Sequence, residues 1–206
     1  MKTKDFAALG RRLLPELPGF TVKGQMIFIQ PVAHTLRGIC FDGSSFDPNL
    51  FFVQVFAQPL FVPAKRLALN IGWRLGGGSH RWNVNAPGLL EDLSAVLKRE
   101  ALPFLARIES PRDLAQAATS LQKSQDPYTQ QAVAYALARA GDVNKAVAEL
   151  DQLTRLLDVK VPWQLEMLAR ANALKSQLLR DAPSAQKQLQ AWEAESVRNL
   201  GLEKFR

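Results

Sequence analysis

Nine of the eleven phenylalanines fall between Phe6 and Phe61, and only Phe104 and Phe205 lie beyond. The same early stretch carries Val and Ile at strand spacing, whereas the sequence after Pro87 turns to Ala, Leu, Gln and charged residues, which favour helix. A chain divided in this way cannot be one uniform array. It predicts an α+β fold: an N-terminal helix and antiparallel β-meander followed by a C-terminal bundle of antiparallel helices. The expected organisation is a sheet domain over residues 1–108 and an all-helical hairpin domain over residues 109–206. A length of 206 residues suffices for one large unit or two small ones. With 47% hydrophobic and 22% charged residues, the chain has enough apolar material to exclude wholesale disorder.

Phe6, Leu9, Leu13 and Leu14 share one face of an opening helix over residues 4–16, which Pro15, Pro18 and Gly19 bring to an end. Strands follow at residues 26–30, 35–41 and 50–58. Turn chemistry at Gly43-Ser44-Ser45 and Asp47-Pro48-Asn49 separates the last two, and Pro59 and Pro63 close the third. The cleanest strand pattern spans Arg66 to Arg74. Leu67, Leu69, Ile71 and Trp73 alternate with Arg66, Ala68, Asn70, Gly72 and Arg74, as a sheet with one buried face requires. After the Gly76-Gly77-Gly78-Ser79 turn, residues 80–84 return as a short last strand. A helix then runs from about 87 to 107, kinked or ended by Pro103. Ser110-Pro111 and Asp126-Pro127 each place a capping residue before a first-turn proline. Gly141-Asp142 ends one helix and caps the next, and Pro162 and Pro183 open two more. Five helices from Pro111 onward, joined by short connections, should pack antiparallel.

The stretch from Tyr128 to Asp158, with Ala134, Leu137, Gly141-Asp142, Lys145-Ala146, Leu150 and Leu153, resembles a tetratricopeptide-like helical hairpin. It departs from that pattern in having Gln130 where the first helix usually carries Trp and Asp158 where proline usually follows the second. The resemblance implies a protein-binding role. The opening helix, Gly19-Phe20, Lys23-Gly24, the strand meander and Leu69-Asn70-Ile71-Gly72 resemble small bacterial α+β domains of unknown function, some of them immunity-like. That likeness implies a bacterial source and no chemistry.

A net charge of +7 comes from twelve basic against seven acidic residues up to position 100 and fourteen against twelve beyond it. Such an excess attracts nucleic acid, anionic lipid or an acidic protein, or simply keeps the surface solvated. No basic run exceeds two residues, and no apolar run approaches the roughly 20 residues of a membrane span. The single cysteine, Cys40, excludes an internal disulfide and a Cys-based zinc site. These features predict a cytoplasmic protein without a membrane association. Ser79-His80 lacks the strained elbow of a nucleophilic serine, and adjacent strand residues point apart. His34 is expected at a sheet edge or core, and Cys40 as a small buried hydrophobe. Gly76-Gly77-Gly78 lacks the Gly-Lys-Ser/Thr ending of a phosphate loop, and neither histidine has metal-ligand spacing.

The most suggestive polar feature is the stripe Arg66, Asn70 and Arg74, whose members repeat about 13 Å apart on one strand face. With Arg81 and Trp82 it forms a candidate surface for a carboxylate, a phosphate or an acidic partner. The alternative is a solvated sheet face. The sequence therefore predicts a non-catalytic protein without cofactors. Its first expected partner is another protein, in an immunity- or adaptor-like role, and the second is nucleic acid or an anionic ligand on a basic sheet face.

Overall fold

A computed structural model describes residues 2–121 and 126–206 of the chain. The opening helix forms as its spacing requires. Helix α1 spans Thr3–Leu13, a tight 3₁₀ turn at Leu14–Glu16 accommodates Pro15, and Phe6, Leu9 and Leu13 are buried. Strands β1 (Phe20–Lys23), β2 (Met26–Ile29), β3 (Thr35–Gly43), β4 (Leu50–Pro59) and β5 (Gly72–Arg74) follow in antiparallel order. Strand β1 is an addition to the sequence reading, paired with β2 through a two-residue turn at Gly24-Gln25. Strand β6 (Trp82–Asn83) also pairs with β4, so β5 and β6 divide one edge of that strand between Gln54–Phe56 and Leu50–Phe51.

The period of two sorts the sheet into two apolar faces. On one, Ile27, Ile39, Phe41, Phe51, Val53 and Val55 pack against α1 and the first helices after the sheet. Phe6 lies stacked on Phe41 with ring centres 5.7 Å apart and meets Phe51 edge-on. On the other, Phe28, Leu36, Cys40 and Phe56 are covered by Val197, Leu202 and Phe205 from the far end of the sequence. Each such fully buried side chain contributes about 1.5–3 kcal/mol relative to exposure.

The strand expected over residues 66–74 is confined to its last three residues. The Ile71 carbonyl still accepts from the Ala57 N–H at 2.8 Å, and upstream of it side chains replace the ladder. The Gln58 amide donates to the Arg66 carbonyl and accepts from the Ala68 N–H, and Gln54 Nε2 donates to the Leu69 carbonyl at 2.9 Å. The alternation of exposure survives, but the apolar residues part company. Leu67 and Leu69 join the Phe28 side of the sheet, Ile71 the helical core and Trp73 the Phe41 side.

The helix expected from about 87 to 107 is α2 (Leu89–Val96) and α3 (Leu102–Ala106), joined by a π-helical turn at Leu97–Ala101. The widened turn lies just ahead of Pro103, which has no N–H to donate. Five helices follow: α4 (Pro111–Leu121), α5 (Pro127–Arg139), α6 (Val143–Leu156), α7 (Pro162–Arg180) and α8 (Ala182–Leu200). Asp126 caps α5, its carboxylate accepting from the Thr129 N–H at 2.9 Å. Gly141, with φ of +82°, closes α5. Asp142 departs from the capping role expected of it. Its side chain makes no cap bond and instead takes Arg112 in a two-pronged pair at 2.9 and 2.7 Å, bracing α4.

Helices α5 and α6 form the expected hairpin, with Ala134, Ala146, Leu150 and Leu153 fully buried. Helix α5 is buried around its circumference, in contact with α4, α6 and α8. Ala57, Phe61 and Ile71 from the sheet half enter the same core, so apolar packing runs continuously across the 108/109 boundary. The closing tie is polar. Glu193 on α8 is 3% exposed and faces His34 Nδ1 at 2.9 Å, Arg139 Nε at 3.7 Å and Arg206. No described helix is long and apolar enough to cross a membrane.

Candidate functional site

Where the 57–71 segment crosses the starts of α5 and α7, the chain leaves a cleft of about 610 Å³. That size lies within the range of small-ligand and peptide pockets. Ala57, Ile71, Ala132 and Met167 supply buried apolar lining. Tyr128 and Trp163 stand at the cleft, stacked with ring centres 4.9 Å apart and planes 10° apart. They remain 45% and 39% exposed, so the stacked pair presents aromatic surface to solvent. Each follows a proline in the first turn of its helix: Pro127-Tyr128 and Pro162-Trp163. That repeated dipeptide is the signal by which sequence reading could have found them.

Polar groups enter from three elements. Arg66 and Asn70 come from the 57–71 segment, Gln131 from α5, and Glu166 and Arg170 from α7. Gln131 is 4% exposed, and its amide nitrogen completes no hydrogen bond among the described residues. The same holds for Arg170 Nε and for the hydroxyl of Tyr135, one helical turn beyond Gln131. Burial pushes the Tyr135 hydroxyl up to about 12, while the Gln131 amide and the Arg170 charge pull it down. The amide is therefore close to the phenol, but its geometry falls short of a proper bond. Buried donors left in this condition are rare in folded proteins.

Of the five residues singled out from sequence, the structure brings Arg66 and Asn70 to the cleft. Arg74 goes elsewhere. Its guanidinium lies 3.9 Å from the centre of the Phe52 ring, and Arg81 approaches the same ring at 5.9 Å. Trp82 is 7% exposed and packs in the core on the Phe41 side, with His80 edge-on at 4.5 Å. The stripe expected to act as one surface is thus divided, because the backbone pairs with β4 only from Ile71 onward. Tyr128, Gln131, Trp163, Glu166 and Arg170 are the cleft residues that sequence reasoning missed.

The cysteine and both histidines lie outside the cleft. Cys40 is buried under the C-terminal segment, and burial pushes its thiol up to about 11. His34 is engaged with Glu193. Among the described residues no group of three His, Cys, Asp or Glu side chains could hold a metal ion. A second cavity of about 580 Å³ contains Trp73, Phe104, Glu100, Arg107 and Asp113. Its acids are already bound. Glu100 pairs with Arg99 and accepts from the Gly76 N–H, and Asp113 accepts from Ser110. What sets the first cleft apart is the exposed, stacked Tyr128–Trp163 pair over an apolar floor, with Arg66 and Arg170 in the same lining. No protein-family model, curated protein or solved structure matches this chain.

Proposed function

We propose that this protein acts by binding rather than by catalysis, and that it recognises a partner protein through the cleft between the 57–71 segment and helices α5 and α7. The observation that carries this reading is the exposed Tyr128–Trp163 stack beside Arg66 and Arg170. Tyr, Trp and Arg around a partly enclosed apolar floor are the composition of interface hot spots. The pocket groups are suited to hold a ligand, since the aromatic faces, amide and guanidinium groups offer area and hydrogen bonds and none is an activated nucleophile. The resemblance of the N-terminal half to immunity-like bacterial domains suggests the biological form, an immunity or adaptor protein of the cytoplasm. The α5–α6 hairpin contributes to this reading as the support of Tyr128, Gln131 and the cleft wall.

The test is affinity capture from the source organism with wild-type protein and with the Tyr128→Ala/Trp163→Ala variant. A partner held by the wild type and lost by the variant is the expected result. A partner held equally by both removes the cleft from the reading, and recovery of none removes the protein partner.

A second reading rests on Arg74 and Arg81 converging on Phe52, a basic and aromatic surface of the kind single-stranded nucleic acid uses. It predicts oligonucleotide binding at low salt that weakens steeply as salt rises. Absence of binding at low salt eliminates it.

A further inference from the structure

Helix α7 has two long rows of residues on opposite sides. Met167, Ala171, Leu174 and Leu178 are buried against the rest of the chain. Leu165, Ala169, Asn172, Ser176 and Leu179 are all exposed on the other side. The outward row steps by four, three, four and three, the spacing at which one helix meets another along a shared seam. Both of its leucines are more than half exposed. The row is about 21 Å long at 1.5 Å per residue, and α6 and α8 flank the helix without covering it.

The occupant follows from the order of these residues, which complements itself when reversed. Laid antiparallel on a second copy, Leu179 falls opposite Ala169 and Asn172 opposite Ser176. A large side chain then meets a small one, and an amide meets a hydroxyl. Glu166 and Arg180 are both exposed beside the row, at its two ends. In the same register they face each other at both ends of the seam, as two-fold symmetry requires, and Leu165 lies against the aliphatic stem of that arginine. A parallel pair would instead set Lys175 against Arg180, two like charges.

We propose that the outward face of α7 is the contact of a two-fold, antiparallel homodimer. A contact one helix wide is at the small end of protein interfaces, and the charge of +7 on each copy opposes it, so the dissociation constant should be about 10–100 μM. The dimer does not depend on the cleft reading, with which it shares only Glu166.

The test is sedimentation equilibrium of the full-length protein from about 5 to about 500 μM, a range that brackets this affinity, in about 0.15 M salt. The average mass should climb from 22.9 kDa toward twice that value. Leu179→Asn should weaken association about tenfold or more, since each dimer loses two buried leucines. Glu166→Arg and Arg180→Glu should each weaken it roughly tenfold, since every dimer then carries two repulsive contacts. Mixing these two single variants in equal amounts should restore association, because the mixed dimer regains both opposite-charge pairs, an outcome peculiar to antiparallel pairing. A mass that stays at one chain across the range overturns the proposal. So does a wild-type dimer indifferent to all three substitutions, or a mixture that associates no better than its components. Circular dichroism checks that each variant is folded, since Arg180 also lends its field to Asp181 at the start of α8. If Arg180→Glu fails to fold, Leu179→Asn and Glu166→Arg still decide.

Discussion

Replacing Glu193 by Gln tests whether the polar tie between the two halves is structural. Glu193 is 3% exposed and sits among His34, Arg139 and Arg206. The three partners differ in what they lose. The side chains of His34 and Arg206 are 39% and 41% exposed and can return to water, whereas that of Arg139 is only 16% exposed. Removing the carboxylate's charge therefore strands one guanidinium. Breaking a buried pair on one side costs roughly 3–5 kcal/mol, and rehydration of the outer two partners places this case at the lower end, about 3 kcal/mol. At an m-value of about 2 kcal/mol/M, urea unfolding should shift its midpoint down by about 1.5 M. His34→Ala, which removes a half-exposed partner, should cost about 1 kcal/mol or less. Adding Arg139→Met to Glu193→Leu should restore part of the loss, because the stranded charge is gone. If Glu193→Gln leaves the midpoint in place, or His34→Ala costs as much as Glu193→Gln, the account of a buried charge dependent on Arg139 is wrong.

Two glycines in the sheet should resist even alanine. A Cβ at Gly38 would lie 2.2 Å from the Ile27 carbonyl oxygen, and one at Gly72 would lie 1.9 Å from that of Val55. Backbone must move in both cases, so Gly38→Ala and Gly72→Ala should each lose about 3 kcal/mol in denaturant titrations, at the upper end for overpacking. A loss under about 0.5 kcal/mol, the range of an ordinary surface change, would contradict the close strand approach. The acid limb of stability is also set. Hydrogen bonds and ion pairs hold Glu16, Glu100, Asp113, Asp142 and Asp181 below the ordinary carboxylate range, through Lys98, Arg99, Ser110, Arg112 and Ser184 respectively. Each binds protons less readily folded than unfolded. Their contribution is present above the unfolded carboxylate values, about 4, and drains away as pH falls through the lower folded values. Thermal midpoints should be level from neutrality to about pH 5 and decline below it. A midpoint that rises on acidification would refute the assignment.

Much of the fold was legible because its signals are local. The Phe- and Val-rich run of β4, the turn residues before it, and Pro111, Pro127 and Pro162 at helix starts are properties of neighbouring residues that tertiary packing did not override. The segment from 66 to 71 was misread because alternation reports which side chains are buried and not where the backbone bonds go. Here Gln54 and Gln58 satisfy it from another strand. Strand β1, four residues long, had too little pattern to stand alone. The candidate site was half visible for a similar reason. Arg66 and Asn70 belong to a patterned stretch, but Gln131 and Arg170 look like ordinary helix residues. Only the meeting of α5, α7 and the 57–71 segment brings them into one cleft lining.

The covering of Phe28, Cys40 and Phe56 by Val197, Leu202 and Phe205 has a consequence during synthesis. Strand β4 leaves the ribosome roughly 140 residues before the segment that shields it, so one side of a nearly complete sheet stays bare and adhesive through most of translation. A ribosome stalled within α7 would display that tacky surface to the cell. Early recruitment of a holding chaperone to nascent chains of this length is the expected accompaniment.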